Sequence, residues 1–456
     1  FQNYTEPFVF SQIIALLPEG VDLVVDRSGG APEAVETRRG DLRQLTWTME
    51  NVPALPREPS SVPLPPFVPY MAYGQWTFVN QFRAQLEGLR DKDPFDPAVE
   101  RLVAQVLGDL RDAPAPQKLA RLHHWVLEEI DPAGGWGGYA PVMVHARRGD
   151  RTRVLRYMLQ MAGLPTDIVI VRGLGTPDPR TLANDDVYET AVLRVRAPGA
   201  QPLFAFAEIR GTTWDVLPVQ VRGQEGVVLA TPTEGDALER VTLPDAGPQM
   251  DRHVAHLDVQ LERTGDARVR VRETFYGTTA AMWRQQLKEV PPAELPRLMA
   301  EQYVPRLLVG AEVESVQVGG VESWDAPITF DYAARVRGYA RVRGGALMLP
   351  PMHPSNLTRS HAPLPARTTT QLVGGHVREV TTVVRGVSAE TPIPQAVQWS
   401  ERGIQYARTS RREGNDLIVE RHVHVPWGTV TAADYPAFAV LIRRLAAVES
   451  AEIEVR

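Results

Sequence analysis

Along the chain the apolar positions change period twice. Over residues 1–66 they come in short blocks of strand character. Leu23, Val24 and Val25 form one run with Val21 just before it, and 41–50 holds another strand through Trp47. Prolines then crowd the chain at 53, 56, 59, 63, 65, 66 and 69. Proline at this density withholds ladder donors and fixes φ, so the segment reads as an extended connector with a domain boundary near 70. From Trp76 the period is 3.6. Asp96, Pro97 and Glu100 combine an N-cap, a first-turn proline and an acidic first turn, and Val99, Leu102, Val103, Val106, Leu107 and Leu110 line one helical face. A second helix spans about 116–130 with Leu119, Leu122, Val126 and Ile130 inward. After the glycine-rich stretch 134–138, a third covers about 152–162 and stops at Gly163, followed by Pro165. Ile168, Val169, Ile170 and Val171 make a buried strand, and 187–196 and 203–209 two more. From 240 onward strands return. Val269 and Val271 alternate with Arg268, Arg270 and Arg272, a sheet with one wet face, and 377–384 and 416–425 repeat that style. A last helix near 432–447 carries Tyr435, Phe438, Leu441, Ile442 and Leu445, and no solenoid-type repeat is present.

Composition narrows the class. A chain of 456 residues accommodates roughly three domains at ~150 residues each. With 43% hydrophobic and 23% charged residues it is not disordered as a whole, and its 35 glycines and 39 prolines favour turns and strands over a helical bundle. The net charge of −6 gives no electrostatic case for nucleic acid or an anionic membrane surface. Its only lysines, Lys92, Lys118 and Lys288, reflect a GC-rich coding bias rather than a function. Cysteine is absent, which excludes disulfides, thiolate metal sites and a cysteine nucleophile within the chain. No apolar run approaches the ~20 residues of a membrane span. Because Phe1 precedes strand-like sequence with no signal segment, the expectation is a fragment of a longer protein.

The order helix, glycine-rich stretch, Arg147-Arg148-Gly149-Asp150-Arg151, helix, Gly163, strand, and then the strand at 187–195 resembles the transglutaminase-like core, a papain-type fold. The flanks agree with it. Trp47, Glu58-Pro59 and the proline-rich segment resemble the end of a β module that precedes such cores in bacterial secreted proteins. The segments 274–277, 345–350 and 435–438 and Arg367 resemble the β domain that follows them. The resemblance implies an α+β fold: a degenerate transglutaminase-like core at 71–240 between two mainly antiparallel β domains, 1–70 with its connector and 241–456 ending in a helix.

In that family a Gly-Asp-Cys sequence opens the third helix, and the strands behind it supply a histidine and then an acid. Carried over residue by residue, the cysteine falls on Arg151, the histidine on Glu189, and the acid near Ala207 or Glu208, with Glu208 the better chemical match. The family mechanism needs a thiolate, a base for its proton and a group to orient that base. Arg151 is always protonated and cannot be a nucleophile. A guanidinium at a helix N-terminus is disfavoured by up to ~1 kcal/mol unless neutralised. Glu189 shares strand parity with Val187, Ala191, Leu193 and Val195. The expectation is therefore an ion pair between Arg151 and Glu189 where cysteine and histidine would have met; the alternative leaves both at element ends in solvent.

Other constellations carry bland readings. Arg148-Gly149-Asp150 spells an adhesion tripeptide but belongs to the start of a helix. His123 and His124 diverge by about 100° on a helix, so one packs in the core and the other faces solvent. His422 and His424 share a strand face without a third ligand, and no metal is expected. Asn356-Leu357-Thr358 matches a glycosylation acceptor without bacterial relevance, and Gly173-Leu174-Gly175 is a weak nucleotide loop. Thr152 reads as a helix cap. The functional expectation is a non-catalytic protein-binding or scaffold component of the bacterial envelope or exterior, with a protein partner and no cofactor, the location resting on the resemblance alone. The alternative is an amide or ester hydrolase or transferase with rebuilt chemistry on Glu189, Glu208, Asp215 or a hydroxyl. A third reading assigns the activity to sequence beyond these residues.

Overall fold

The protein is described by a computed structural model covering residues 1, 6–62, 68–75, 93–134, 138–176, 188, 190–197, 199–229, 239–245, 251–351 and 353–456. The fold is α+β. The N-terminal part pairs β1 (Phe8–Pro18), β4 (Leu42–Val52) and β3 (Val35–Arg39) in one antiparallel sheet. A separate ribbon joins β2 (Val24–Ser28) to β5 (Tyr70–Gly74), so the chain returns to this module after the proline-rich connector. The connector itself docks. Glu58 accepts from the Thr368 and Thr369 amides at 2.7 and 3.0 Å, Arg367 Nη1 donates to the Pro59 carbonyl at 2.7 Å, and Ser61 bridges to Gln371.

Among the described residues, the core places four helices on one face of a five-stranded antiparallel sheet. They are α1 (Pro97–Leu107), α2 (Ala115–Glu129), α3 (Ala140–Ala146) and α4 (Arg151–Met161). A short parallel bridge, β6 (Asp131–Pro132) with β7 (Arg148–Gly149), joins the end of α2 to the start of α4. The strands are β8 (Thr166–Val171), β9 (Thr190–Val195), β10 (Leu203–Ala205), β11 (Glu225–Leu229) and β12 (Arg240–Thr242), in the order 10-9-8-11-12. Both faces of this sheet are covered. Ile168 and Ile170 pack with the helices, whereas Val169 and Val171 pack with Phe206, Leu217 and Val221 on the other side. Double coverage is why 168–171 reads as an unbroken apolar run rather than an alternation.

Several local signals hold. Asp96 caps α1 by accepting from the Ala98 and Val99 amides, and Gly163 takes a left-handed φ of 75° just past α4. The strand read at 203–209 is shorter. It ends at Ala205 because the Phe206 amide turns to the Trp214 carbonyl instead of a ladder partner, which leaves Glu208 in a loop.

The C-terminal part is built on an eight-stranded sheet in the order 311–319, 328–336, 267–275, 252–261, 376–385, 416–425, 404–413, 397–401; only the pair 252–261 with 376–385 is parallel. Arg268, Arg270 and Arg272 lie on its wet face, and the helix Tyr435–Glu449 packs Ile442 and Leu445 at one end. Arg284 joins this part to the core. It lies in the helix Gly277–Lys288 and donates to the carbonyls of Gly211 (2.8 Å), Gly320 (3.1 Å) and Ala326. Among the described residues no helix is long and apolar enough to cross a membrane.

Inside this sheet lies a charge that the alternation would assign to an apolar position. Glu273 follows Val269 and Val271 at inward parity and is fully buried. Tyr303 and Tyr332 each donate to its Oε1 at 3.0 Å, and His253 Nε2 lies 2.8 Å from Oε2. Arg378 Nη2 donates to His353 Nδ1 at 3.0 Å, so a neutral His353 links the guanidinium to the carboxylate's surroundings. Despite burial, these donors and charges hold the Glu273 carboxyl down to about 2, while burial pushes His353 down to about 4. An unfolded chain would take up the same protons near the ordinary 4.5 and 6.5. Acid therefore favours unfolding across both intervals. Thermal unfolding followed by circular dichroism should show stability falling as pH drops from 6.5 through 4 and further toward 2. Glu273→Gln should cost about 3–5 kcal/mol at neutral pH by removing the stronger of the two carboxylate charges, with Glu449, that act on the buried Arg378.

Candidate functional site

The start of α4 defines the site. Gly149 lies in the β6–β7 bridge against Met143: a Cβ there would sit 2.4 Å from Met143 Cγ. Asp150 caps α4 by accepting from the Arg153 amide at 2.8 Å. The adhesion-like tripeptide is thus built into a helix start, in agreement with its bland reading. Arg153 anchors the first turn from within, donating to the Gly138 carbonyl (2.8 Å) and Asp93 Oδ1 (2.9 Å).

Arg151, the residue standing where the resembled family carries its nucleophile, turns away from the cleft. It is 5% exposed, and its Nε donates to the Ile130 carbonyl at 2.8 Å and its Nη2 to the Leu127 carbonyl at 3.3 Å. Those carbonyls belong to the C-terminal turn of α2 and the residue capping it, which carry partial negative charge and have no intrahelical partners. The cation has moved from the unfavourable end of α4 to the favourable end of α2. Arg210 completes the cap with bonds to the Leu127 (2.8 Å) and Glu128 (2.9 Å) carbonyls. Burial and the nearby Arg210 charge lower the Arg151 pKa from its usual range. Glu189, the other half of the expected ion pair, lies outside the described residues.

Beside this cap a cleft of about 340 Å³ opens between the start of α4 and the strands β8 and β9, walled by Pro132, Ile170, Ala191 and Phe206. Among the described residues its polar side chains are Asp150, Thr152, Tyr188, Thr190 and Glu208. Thr152 Oγ1 donates to Glu208 Oε1 at 3.1 Å. This corrects the capping role read for Thr152: the cap is Asp150, which takes the Arg153 amide, and the Thr152 hydroxyl turns to Glu208 at the cleft. Both carboxyls are raised above their ordinary range, Asp150 mainly by burial and Glu208 by burial and then by the Asp150 charge. Asp215 does not line the cleft. His123 is buried, its Nε2 2.8 Å from the Phe206 carbonyl, while His124 is exposed and packs on the Trp324 ring at 4.3 Å, so the two diverge as helical spacing requires. His422 Nδ1 lies 3.9 Å from Glu379. Sequence reading missed Arg210 altogether. It stands in a loop with no periodicity, and its partners are backbone carbonyls 82 and 83 positions earlier.

No family model matches the chain, and no curated protein matches its sequence. Its fold is similar to the crystal structure of a putative protease from Parabacteroides distasonis, with a TM-score of 0.62 and 14% identity over 100% of this chain and 74% of that one. At that identity the likeness is one of fold. A putative cysteine protease from Cytophaga hutchinsonii aligns over 44% of this chain and 72% of its own, at 10% identity and a TM-score of 0.19, and carries no weight for the fold.

The Arg151 geometry makes a direct prediction. Arg151→Ala should lower unfolding free energy by about 2–3 kcal/mol, because two carbonyls lose charged donors in a buried setting. Arg151→Lys should fall between the two, since one ammonium cannot span both acceptors. Urea-unfolding midpoints measure both changes.

Proposed function

We propose that the protein is a non-catalytic relative of the transglutaminase-like fold whose cleft holds an extended segment of a partner protein, in the bacterial envelope or exterior. One observation carries the reading: Arg151, which the resemblance aligns with the nucleophile, is a buried guanidinium spent on the Leu127 and Ile130 carbonyls. The chain contains no cysteine to take its place. The neighbouring cleft nonetheless stays open, with apolar walls and a few convergent polar groups, the make-up of a recognition site. Fold likeness to a protein described as a putative protease supports a polypeptide as occupant.

A second reading rests on the Thr152–Glu208 bond. A hydroxyl at the start of a helix, donating to a carboxylate with a raised pKa, is a nucleophile with a base in outline. Against it, Thr152 is 3% exposed and the described residues offer no histidine at the cleft.

Selection of a phage-displayed library of 12-residue peptides on the chain separates the two readings. The binding reading expects enriched peptides whose affinity falls at least about ten-fold in Ala191→Trp, which fills the cleft, and no hydrolysis of those peptides or of p-nitrophenyl esters. Hydrolysis that disappears in both Thr152→Ala and Glu208→Gln would overturn it in favour of the second. Peptides that bind Ala191→Trp undiminished would remove the cleft from either role.

A further inference from the structure

A second cavity, of about 490 Å³, lies on the far side of α2 where the core meets the C-terminal part. One wall is α2 itself. The others are the loop holding Trp214 and the turn holding Glu322, Trp324 and Asp325, between the strands Ala311–Gly319 and Ile328–Val336. Both tryptophans are half-buried and line the cavity, Trp214 packing also against the apolar core.

The two tryptophan-bearing loops are fastened by one residue. Arg284 donates to the Gly320 and Ala326 carbonyls, which bracket the turn, and to the Gly211 carbonyl, at the base of the Trp214 loop. His124 packs on the Trp324 ring at 4.3 Å and fixes its position from the α2 side. The rings are therefore held before any ligand arrives, which spares binding the cost of ordering them.

The charges at the mouth select the ligand. Glu322 is exposed and makes no ion pair among the described residues. Asp325 is also exposed and lies within electrostatic reach of the buried Arg284. Arg121 also lines the cavity, with its Nη1 3.5 Å from the Val106 carbonyl at the end of α1, so one cation stands against the two rim carboxylates. Tryptophan faces attract cations through the ring quadrupole, and carboxylates at the rim add to that attraction; an anion would meet both unfavourably. We propose that this crevice binds an organic cation, an alkylammonium group held against Trp324 and Trp214 with Glu322 and Asp325 as counter-charges. The group could be presented by a small amine or by a lysine-type side chain, since the recognising chemistry is the same.

Calorimetric titration of the chain tests this with choline, its neutral isostere 3,3-dimethyl-1-butanol, and a hexapeptide bearing one trimethyllysine. The expected result is saturable binding of choline, the peptide or both, with the neutral isostere at least about ten-fold weaker. Tighter choline binding assigns the site to small amines, and tighter peptide binding to a side chain. Trp324→Ala and Glu322→Gln should each weaken the cation about ten-fold or more, whereas Trp399→Ala, far from the crevice, should not. Glu322→Gln guards against a folding artefact, because its side chain is exposed and supports no other contact among the described residues. Equal affinity for choline and its isostere, absence of saturation by either cation up to tens of millimolar, or indifference to Glu322→Gln would overturn the proposal.

Discussion

A helix that ends inside a protein leaves its last carbonyls without partners, and α2 ends at the meeting point of everything else in the core. Its last turn faces α4, the loop after β10 and the helix Gly277–Lys288. Two arginines resolve the problem together: Arg151 serves the Leu127 and Ile130 carbonyls, and Arg210 serves Leu127 and Glu128. From that cap the remaining geometry follows. Arg210 is held in turn by Gln285, which donates to its carbonyl, and Lys288 pairs with Glu128, so the C-terminal part grips the same helix end from outside. With Arg151 occupied behind α4, Thr152 and Asp150 are the groups left facing the cleft.

The same economy recurs wherever the three parts meet. Arg284 binds three carbonyls at the joint of core and C-terminal part, and Arg367 with Glu58 ties the connector to the segment 367–372. Guanidinium suits these places because its planar fork reaches several acceptors at once and stays charged when buried. A chain with three lysines among its 49 basic residues has this chemistry in abundance. The arginine richness first read as coding bias thus supplies the donors on which the joints are built.

What the sequence disclosed was local. The cap of α1 was legible because Asp96, Pro97 and Glu100 sit within one turn, and the buried strand at 168–171 because coverage on both faces leaves no polar position. The alternation from Ala267 to Phe275 was equally plain, and it contained an unread signal: Glu273 falls on the inward parity. What stayed hidden depends on contacts with no sequence signature. A backbone carbonyl accepts an arginine whatever residue carries it, so nothing at 127 or 130 announces Arg151. The reach of β10 was overstated for the same reason, since the Phe206 amide is diverted by a carbonyl eight positions on. Glu208, expected on a strand, stands in a loop, with its carboxyl bonded to Thr152 beside the start of α4.

The docked connector has a consequence for how the chain reaches this state. Ser61 pairs with Gln371, and Glu58 with Thr368 and Thr369, across some 310 intervening positions. These contacts enclose the entire core and four of the eight strands of the C-terminal sheet within one loop. Closing so long a loop early would cost entropy with no partner yet folded to offset it. The joint therefore belongs to the last stage of assembly, after the separate cores have condensed. During synthesis the residues at 58–62 emerge long before their partners, and only Pro59 restricts their backbone until those partners fold.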